Sequence, residues 1–240
     1  MKIRTLNDLS DRVDLETIWG KRELSTIRME VGRQDGPAGV LAIRSGVTIL
    51  YAHWEGWIKA ISRLYLDFVN TLKIPYRDLS PALLATALRA RMDTVQSSNK
   101  ALIHLEFAEF IRERMHETAR VPSDMVRTDS NLSSAVLSDI LCRIGIPERT
   151  FATKYHVIDK ELVHRRNTIA HGEFLELDRE AYLTLHDQVR NMLFEYTNRM
   201  LNNANDQQFR AAGARTGPQR APASEDTDRS GSAAEPPLTK

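Results

Sequence analysis

The stretch from His164 to Phe174, HRRNTIAHGEF, sets two arginines, an asparagine, a histidine and a glycine close together. Arginine presents a planar fork of N–H donors that suits a phosphate. Histidine changes charge near neutral pH and can move protons. Arg166 and His171 are therefore candidates for a site that grips a phosphodiester and transfers protons around it. Five residues of α-helix turn the direction by about 140°, so the two side chains splay apart. Asn167 and His171, four apart, share a face, and the amide can orient the imidazole. His171 falls just before Gly172, a natural helix stop, where the helix dipole favours the imidazolium form. Arg165 leaves the spacing open, because R-x5-H from Arg165 competes with R-x4-H from Arg166. On these residues alone, a basic helix end that satisfies its own terminal carbonyls is the plainer reading.

Other chemistry is missing. There is no GxxxxGK[ST] loop, and the glycines at 32, 36 and 39 do not make a dinucleotide turn. No HExxH occurs, and no Cys/His spacing suits zinc, so no metal site is expected. His53 and Glu55, like His104 and Glu106, are two apart and point in different directions on a helix. The remaining histidines are spread over separate elements and read mostly as surface or interface residues. Cys142, the single cysteine, lies in the apolar run LSDILCRIGI and reads as a buried thiol.

The elements that must position these side chains are helical nearly throughout. Leu9, Val13, Leu15, Ile18, Leu24, Ile27 and Val31 recur about a turn apart over 9–32. QDGPAG (34–39) is a turn, and Pro37 opens a long second helix to about Leu72. Val40, Ile43, Val47, Leu50, Trp54, Ile58, Ile61, Tyr65 and Phe68 form one stripe along it, widened by Trp57 and Leu64. So long a stripe marks the central helix of a bundle. Ser80-Pro81 starts a helix to about Val95, and further helices are expected over 100–118, from an Asn131 cap to Gly145, and over 156–171. Asp178 caps the last helix, whose stripe is Tyr182, Leu185, Val189, Met192, Tyr196 and Met200. The expected fold is all-α: a helical domain over 1–204 with a disordered tail over 205–240, where Gly, Pro, Ala and Ser replace large apolar residues.

Composition narrows the class further. Apolar residues are 42% and charged residues 27%, an ordinary soluble balance. A net charge of +1 provides no bulk attraction to nucleic acid or acidic lipid, so any such binding needs a local patch. No stretch approaches the ~18 apolar residues of a membrane span. The charged N-terminus does not suit a secretory signal, and one cysteine fits a reducing compartment. A cytoplasmic location, with no membrane partner, is the expectation.

A helical chain whose late helix carries R-N-x-x-x-H resembles the HEPN superfamily. Residues 51–59, YAHWEGWIK in the long early helix, strengthen the likeness: they resemble the AHWEG segment of a branch associated with RNA-cleaving bacterial toxins. The resemblance spans roughly 10–200. It implies a metal-independent endoribonuclease without cofactors, of a toxin–antitoxin or antiviral defence system. Its site would form where two protomers of a homodimer meet. His171 would act on the RNA 2′-hydroxyl or the leaving group as general base or acid. Arg166 would stabilise the phosphorane-like transition state, and Asn167 would position His171. Glu55 and His53 are supporting candidates, for which a bundle-locking hydrogen bond is an equal alternative. Some HEPN toxins carry a tyrosine two residues after the histidine, modified by their antitoxin; here Glu173 occupies that place, which puts that route of control in doubt. Two other readings stand beside this one: a non-catalytic HEPN module that binds RNA or nucleotide or serves as a dimeric interaction surface, and an unrelated helical scaffold.

Overall fold

The computed structural model describes residues 3–128 and 130–215. Seven α-helices are found among them, and no strand longer than an isolated bridge. Helix α1 (Leu6–Arg33) opens on a capping box: Thr5 Oγ1 accepts from the Asp8 amide at 3.1 Å, and the Asp8 carboxylate accepts from the Thr5 amide at 3.0 Å. A turn at Gln34–Asp35 leads into α2 (Gly36–Thr71), with Pro37 in its first turn. Helices α3 (Pro81–Gln96) and α4 (Ala101–Glu113) form a hairpin to one side, and α5 (Ser134–Ile144) packs on α3. A π-helical stretch, Val157–Val163, runs directly into α6 (His164–Ala170). The long α7 (Arg179–Asn205) closes the bundle against α1 and α2.

Helix α2 is the axis. It touches α1, α6 and α7, and its stripe from Ile43 to Phe68 is buried as the periodicity implies. Two indoles on it carry polar handles that reach partners. Trp54 Nε1 donates to Leu132 O at 3.1 Å, and Trp57 Nε1 donates to Thr197 Oγ1 at 2.8 Å. The first bond pins the chain at Leu132 to α2, and the second ties α2 to α7. Each satisfies a donor whose burial would otherwise cost about 1–3 kcal/mol.

Several expectations are corrected. Val40 is exposed and does not belong to the α2 stripe, and on α1 both Leu15 and Ile18 face outward. Helix α4 stops at Glu113, because the chain beyond it is drawn into an extended contact: Tyr76 N donates to Glu117 O (3.1 Å) and Ala119 N to Ile74 O (2.8 Å). Ser133 caps α5 in place of Asn131. Cys142 is exposed, since Leu137, Ile140, Leu141 and Ile144 fill the buried stripe of α5 and the thiol lies off it. His53 and His186 are buried between helices.

The C-terminal boundary also moves. Residues expected in a solvated tail from 205 fold back instead: Phe209 is 2% exposed and meets the Phe68 ring edge to face at 6.1 Å. Its carbonyl accepts from Ser80 N, and Ala211 N donates to Asp78 O, both at 2.8 Å. The rest of the expected tail, from 216, lies outside the described residues.

Candidate functional site

Asp159 in the π-helical stretch fixes how the following helix presents its arginines. Its carboxylate accepts from Ser134 N (2.7 Å) and Ser134 Oγ (2.5 Å), capping α5. Ile158, Leu162 and Val163 are buried beneath it. A π turn changes the azimuth of the residues after it relative to an unbroken α-helix. Neighbouring Arg165 and Arg166, about 100° apart on the helix, meet different partners.

Arg166 turns toward α2. Its guanidinium lies 4.2 Å from the centre of the Tyr51 ring, a cation–π arrangement. Nη1 donates to Asn167 Oδ1 at 2.8 Å, and Nη2 to Ser130 O at 3.3 Å. Two of the five N–H donors are thereby engaged, and the fork is held flat on an aromatic face. Below it, Thr128 Oγ1 donates to Glu55 Oε1 at 2.5 Å, and Tyr51 OH accepts from Leu132 N at 2.9 Å. Burial pushes the Tyr51 hydroxyl up to about 12, so it stays protonated at physiological pH. Glu55, Tyr51 and Thr128 thus form a polar cradle under Arg166.

His171 sits on a rigid turn. Gly172 N donates to Ile169 O (3.1 Å) and Glu173 N to Thr168 O (3.0 Å), the paired bonds of a Schellman motif, with Gly172 at φ +75°. His171 is the C-cap residue and is exposed. Arg44 of α2 clamps the same turn, with Nη1 donating to Glu173 O at 2.9 Å. Arg44, Tyr51 and Glu55 stand at i, i+7 and i+11, one face of α2, so a single stripe supports both the arginine and the histidine turn.

The remaining candidates fall elsewhere or take other partners. The Asn167 carboxamide binds Arg166, and what joins residue 167 to His171 is the backbone bond His171 N to Asn167 O at 3.0 Å. Arg165 is ion-paired with Glu161 one turn back and faces the cleft between α6 and α7, beside Asp178 and Glu180. His53, about 200° around α2 from Tyr51, faces α1, where its Nε2 meets Glu23 Oε2 at 2.7 Å. The structure therefore joins Arg166 and Asn167 to each other and to the Tyr51–Glu55 face of α2, leaves His171 exposed at the end of the same helix, and separates Arg165 and His53. Sequence reasoning passed over Tyr51, Thr128, Ser130 and Arg44. Tyr51 and Arg44 were findable from their helical spacing to Glu55; the loop residues were not. No three His, Cys, Asp or Glu side chains come together as metal ligands among the described residues, and no described helix is long and apolar enough to cross a membrane.

The described residues form an all-α bundle around one long central helix, with Arg166, Asn167 and His171 on a late helix packed against it. Residues 9–209 match the MAE_28990-like HEPN family, and the chain belongs to it. The match runs through Phe209, the residue that the fold-back buries. No curated protein and no solved structure matches the chain.

Proposed function

We propose that the protein is a metal-independent endoribonuclease acting in the cytoplasm, with Arg166 and His171 at its centre. One observation carries the reading: a guanidinium fixed on Tyr51 with donors to spare, on the same helix whose clamped C-terminal turn carries an exposed histidine. Arg166 holds the scissile phosphate and stabilises charge on its oxygens. His171 takes the proton of the 2′-hydroxyl, whose oxygen attacks phosphorus. The P–O5′ bond breaks, and the leaving oxygen receives a proton from the second His171 of a two-fold dimer. The products are a 2′,3′-cyclic phosphate and a 5′-hydroxyl. Asn167 and Glu55 position the arginine and its cradle.

A second copy of the chain completes this site. Val40 and Leu41 on α2 and Phe174 after the histidine turn are 51%, 66% and 82% exposed. Arg44 bonds Glu173, so these apolar residues lie around the same turn. Covering them with a symmetry mate brings two Arg166/His171 pairs to one axis. Within a toxin–antitoxin or antiviral system, a neutralising protein would cover the same face. Glu173 cannot serve as a modified tyrosine, which points to control by binding.

The test is incubation of the purified chain with total RNA in EDTA, with analysis of product ends and sedimentation of the protein. Cleavage leaving 2′,3′-cyclic phosphates, by a species of about twice 27.3 kDa, is expected. Cleavage abolished by EDTA, or activity from a strict monomer, contradicts the mechanism. RNA binding without cleavage would instead assign a non-catalytic binding module.

A further inference from the structure

A second cavity opens on the far side of α2 from Arg166. It encloses about 450 Å³ between α1 and α2, within the range of small-molecule sites. Its floor is small, with Gly20, Ala52, Gly56 and Ala60, and its walls are Trp19, His53 and Trp57. Trp19 is 60% exposed, yet its ring lies 4.8 Å from that of His53. A bundle helix gains nothing by presenting an indole this way.

The polar groups inside are distinctive. The His53 side chain is only 6% exposed, and its Nε2 donates to Glu23 Oε2 at 2.7 Å. Nδ1 has no hydrogen-bond partner among the described residues. It lies against Gly20, where a β-carbon would come within 3.1 Å; glycine keeps that nitrogen uncovered. Glu23 Oε1 also has no partner among the described residues, and its side chain is half exposed at the rim. The cavity thus offers a half-exposed carboxylate whose Oε1 lacks a donor among the described residues, beside the exposed Trp19 indole. An apolar helix docked here would bury that carboxylate unpaired, at a cost. A planar ring with adjacent N–H donors would satisfy it.

Resting on the ribonuclease reading, we propose that this cavity takes an unpaired guanine base of the RNA. Guanine is the base whose Watson–Crick edge carries two adjacent donors, N1–H and N2–H₂. These meet the Glu23 carboxylate, while the purine stacks on Trp19, as splayed bases stack on aromatic side chains elsewhere. Guanine also carries O6 on that edge, but adenine and cytosine offer one donor beside a ring acceptor and uracil one donor between two carbonyls, so none of these presents the carboxylate with an adjacent donor pair. The cavity and Arg166 are separated by the width of one helix, about 10 Å. Between them the exposed surface of α2 is Thr48, Ala52 and Gly56, small enough for a single strand to cross closely.

Trp fluorescence of the His171→Ala chain, titrated with GMP, AMP, CMP and UMP, tests this apart from catalysis. Saturable quenching by GMP at about tenfold lower concentration than by the others is expected. Glu23→Gln should remove that preference, and Trp19→Leu the binding, read for that variant by equilibrium dialysis, with helix content unchanged by circular dichroism. A matching preference for G-containing over G-free oligoribonucleotides assigns the cavity to RNA. A GMP preference without it assigns the cavity to free nucleotide and overturns the RNA part. Equal or absent binding of all four nucleotides overturns the proposal, as does Trp19→Leu halving the sedimenting mass, which would show that a second copy covers the groove. GMP binding by a chain that cleaves no RNA would leave the cavity standing and remove the catalytic reading.

Discussion

Replacing Phe209 with alanine tests whether the chain beyond α7 belongs to the folded domain. Phe209 is buried, lies edge to face on Phe68, and sits between the backbone bonds to Ser80 and Asp78. Deleting a buried phenylalanine costs about 3–5 kcal/mol where the surroundings cannot close in. Here the segment is near the end of the packed chain and can partly detach, which limits the loss to the lower end, about 3 kcal/mol. For a domain of this size each kcal/mol moves Tm by about 2–4 °C, so Phe209→Ala should melt roughly 6–12 °C lower. Thermal denaturation followed at 222 nm reads this directly, with Leu102→Ala, on the exposed face of α4, as a control that should not shift. A Phe209→Ala melt within about 2 °C of the parent would refute the docking, and the ordered domain would then end with α7.

Other expectations follow from burial and charge. Burial between α1 and α7 lowers the pKa of His186, whose Nε2 donates to Leu24 O at 3.0 Å. The unfolded chain then binds a proton that the folded chain refuses, so stability falls as pH drops below the ordinary histidine value of about 6.5. His186→Gln should flatten the decline in Tm between pH 7 and 5.5; an unchanged slope would exclude His186 as its source. Exposed Cys142 should react fully with a thiol reagent in the native protein, and protection until unfolding would contradict its placement. Leu41→Glu with Phe174→Glu should convert a dimer to a monomer and abolish cleavage, whereas a dimer that persists would move the interface elsewhere.

The helix order was legible because apolar residues recur with an unbroken helical period along α2 and α7, where few polar residues interrupt it. Helix α1 misled at Leu15 and Ile18: both keep the period, but Trp19 beside them shows that this side of the helix is open. The tail boundary was misjudged because Phe209 is an isolated aromatic in a polar setting, and its docking depends on a distant Phe68. At the candidate site, types and spacing single out Arg166, Asn167 and His171 as candidates. Which partners Arg165 and Arg166 each meet was not legible, since neighbouring residues diverge by about 100° and the π-helical stretch sets where each one lands. The pairing of Thr128 with Glu55 and of Ser130 with Arg166 belongs to a loop held by Trp54 and Tyr51, and no local pattern encodes such a contact.

The measurement that bears most directly on the central claim is RNA cleavage by four single variants, each checked for an unchanged melt. His171→Ala should abolish cleavage, because an exposed C-cap imidazole contributes proton transfer and little packing. Arg166→Ala should do the same, and Arg166→Lys should recover little, since an ammonium reproduces neither the fork nor the flat seat on Tyr51. Arg165→Ala, which breaks only the ion pair to Glu161, should stay within a few-fold of the parent. Parental cleavage by His171→Ala would contradict the account and leave Arg166 and His171 as the ends of an ordinary basic helix.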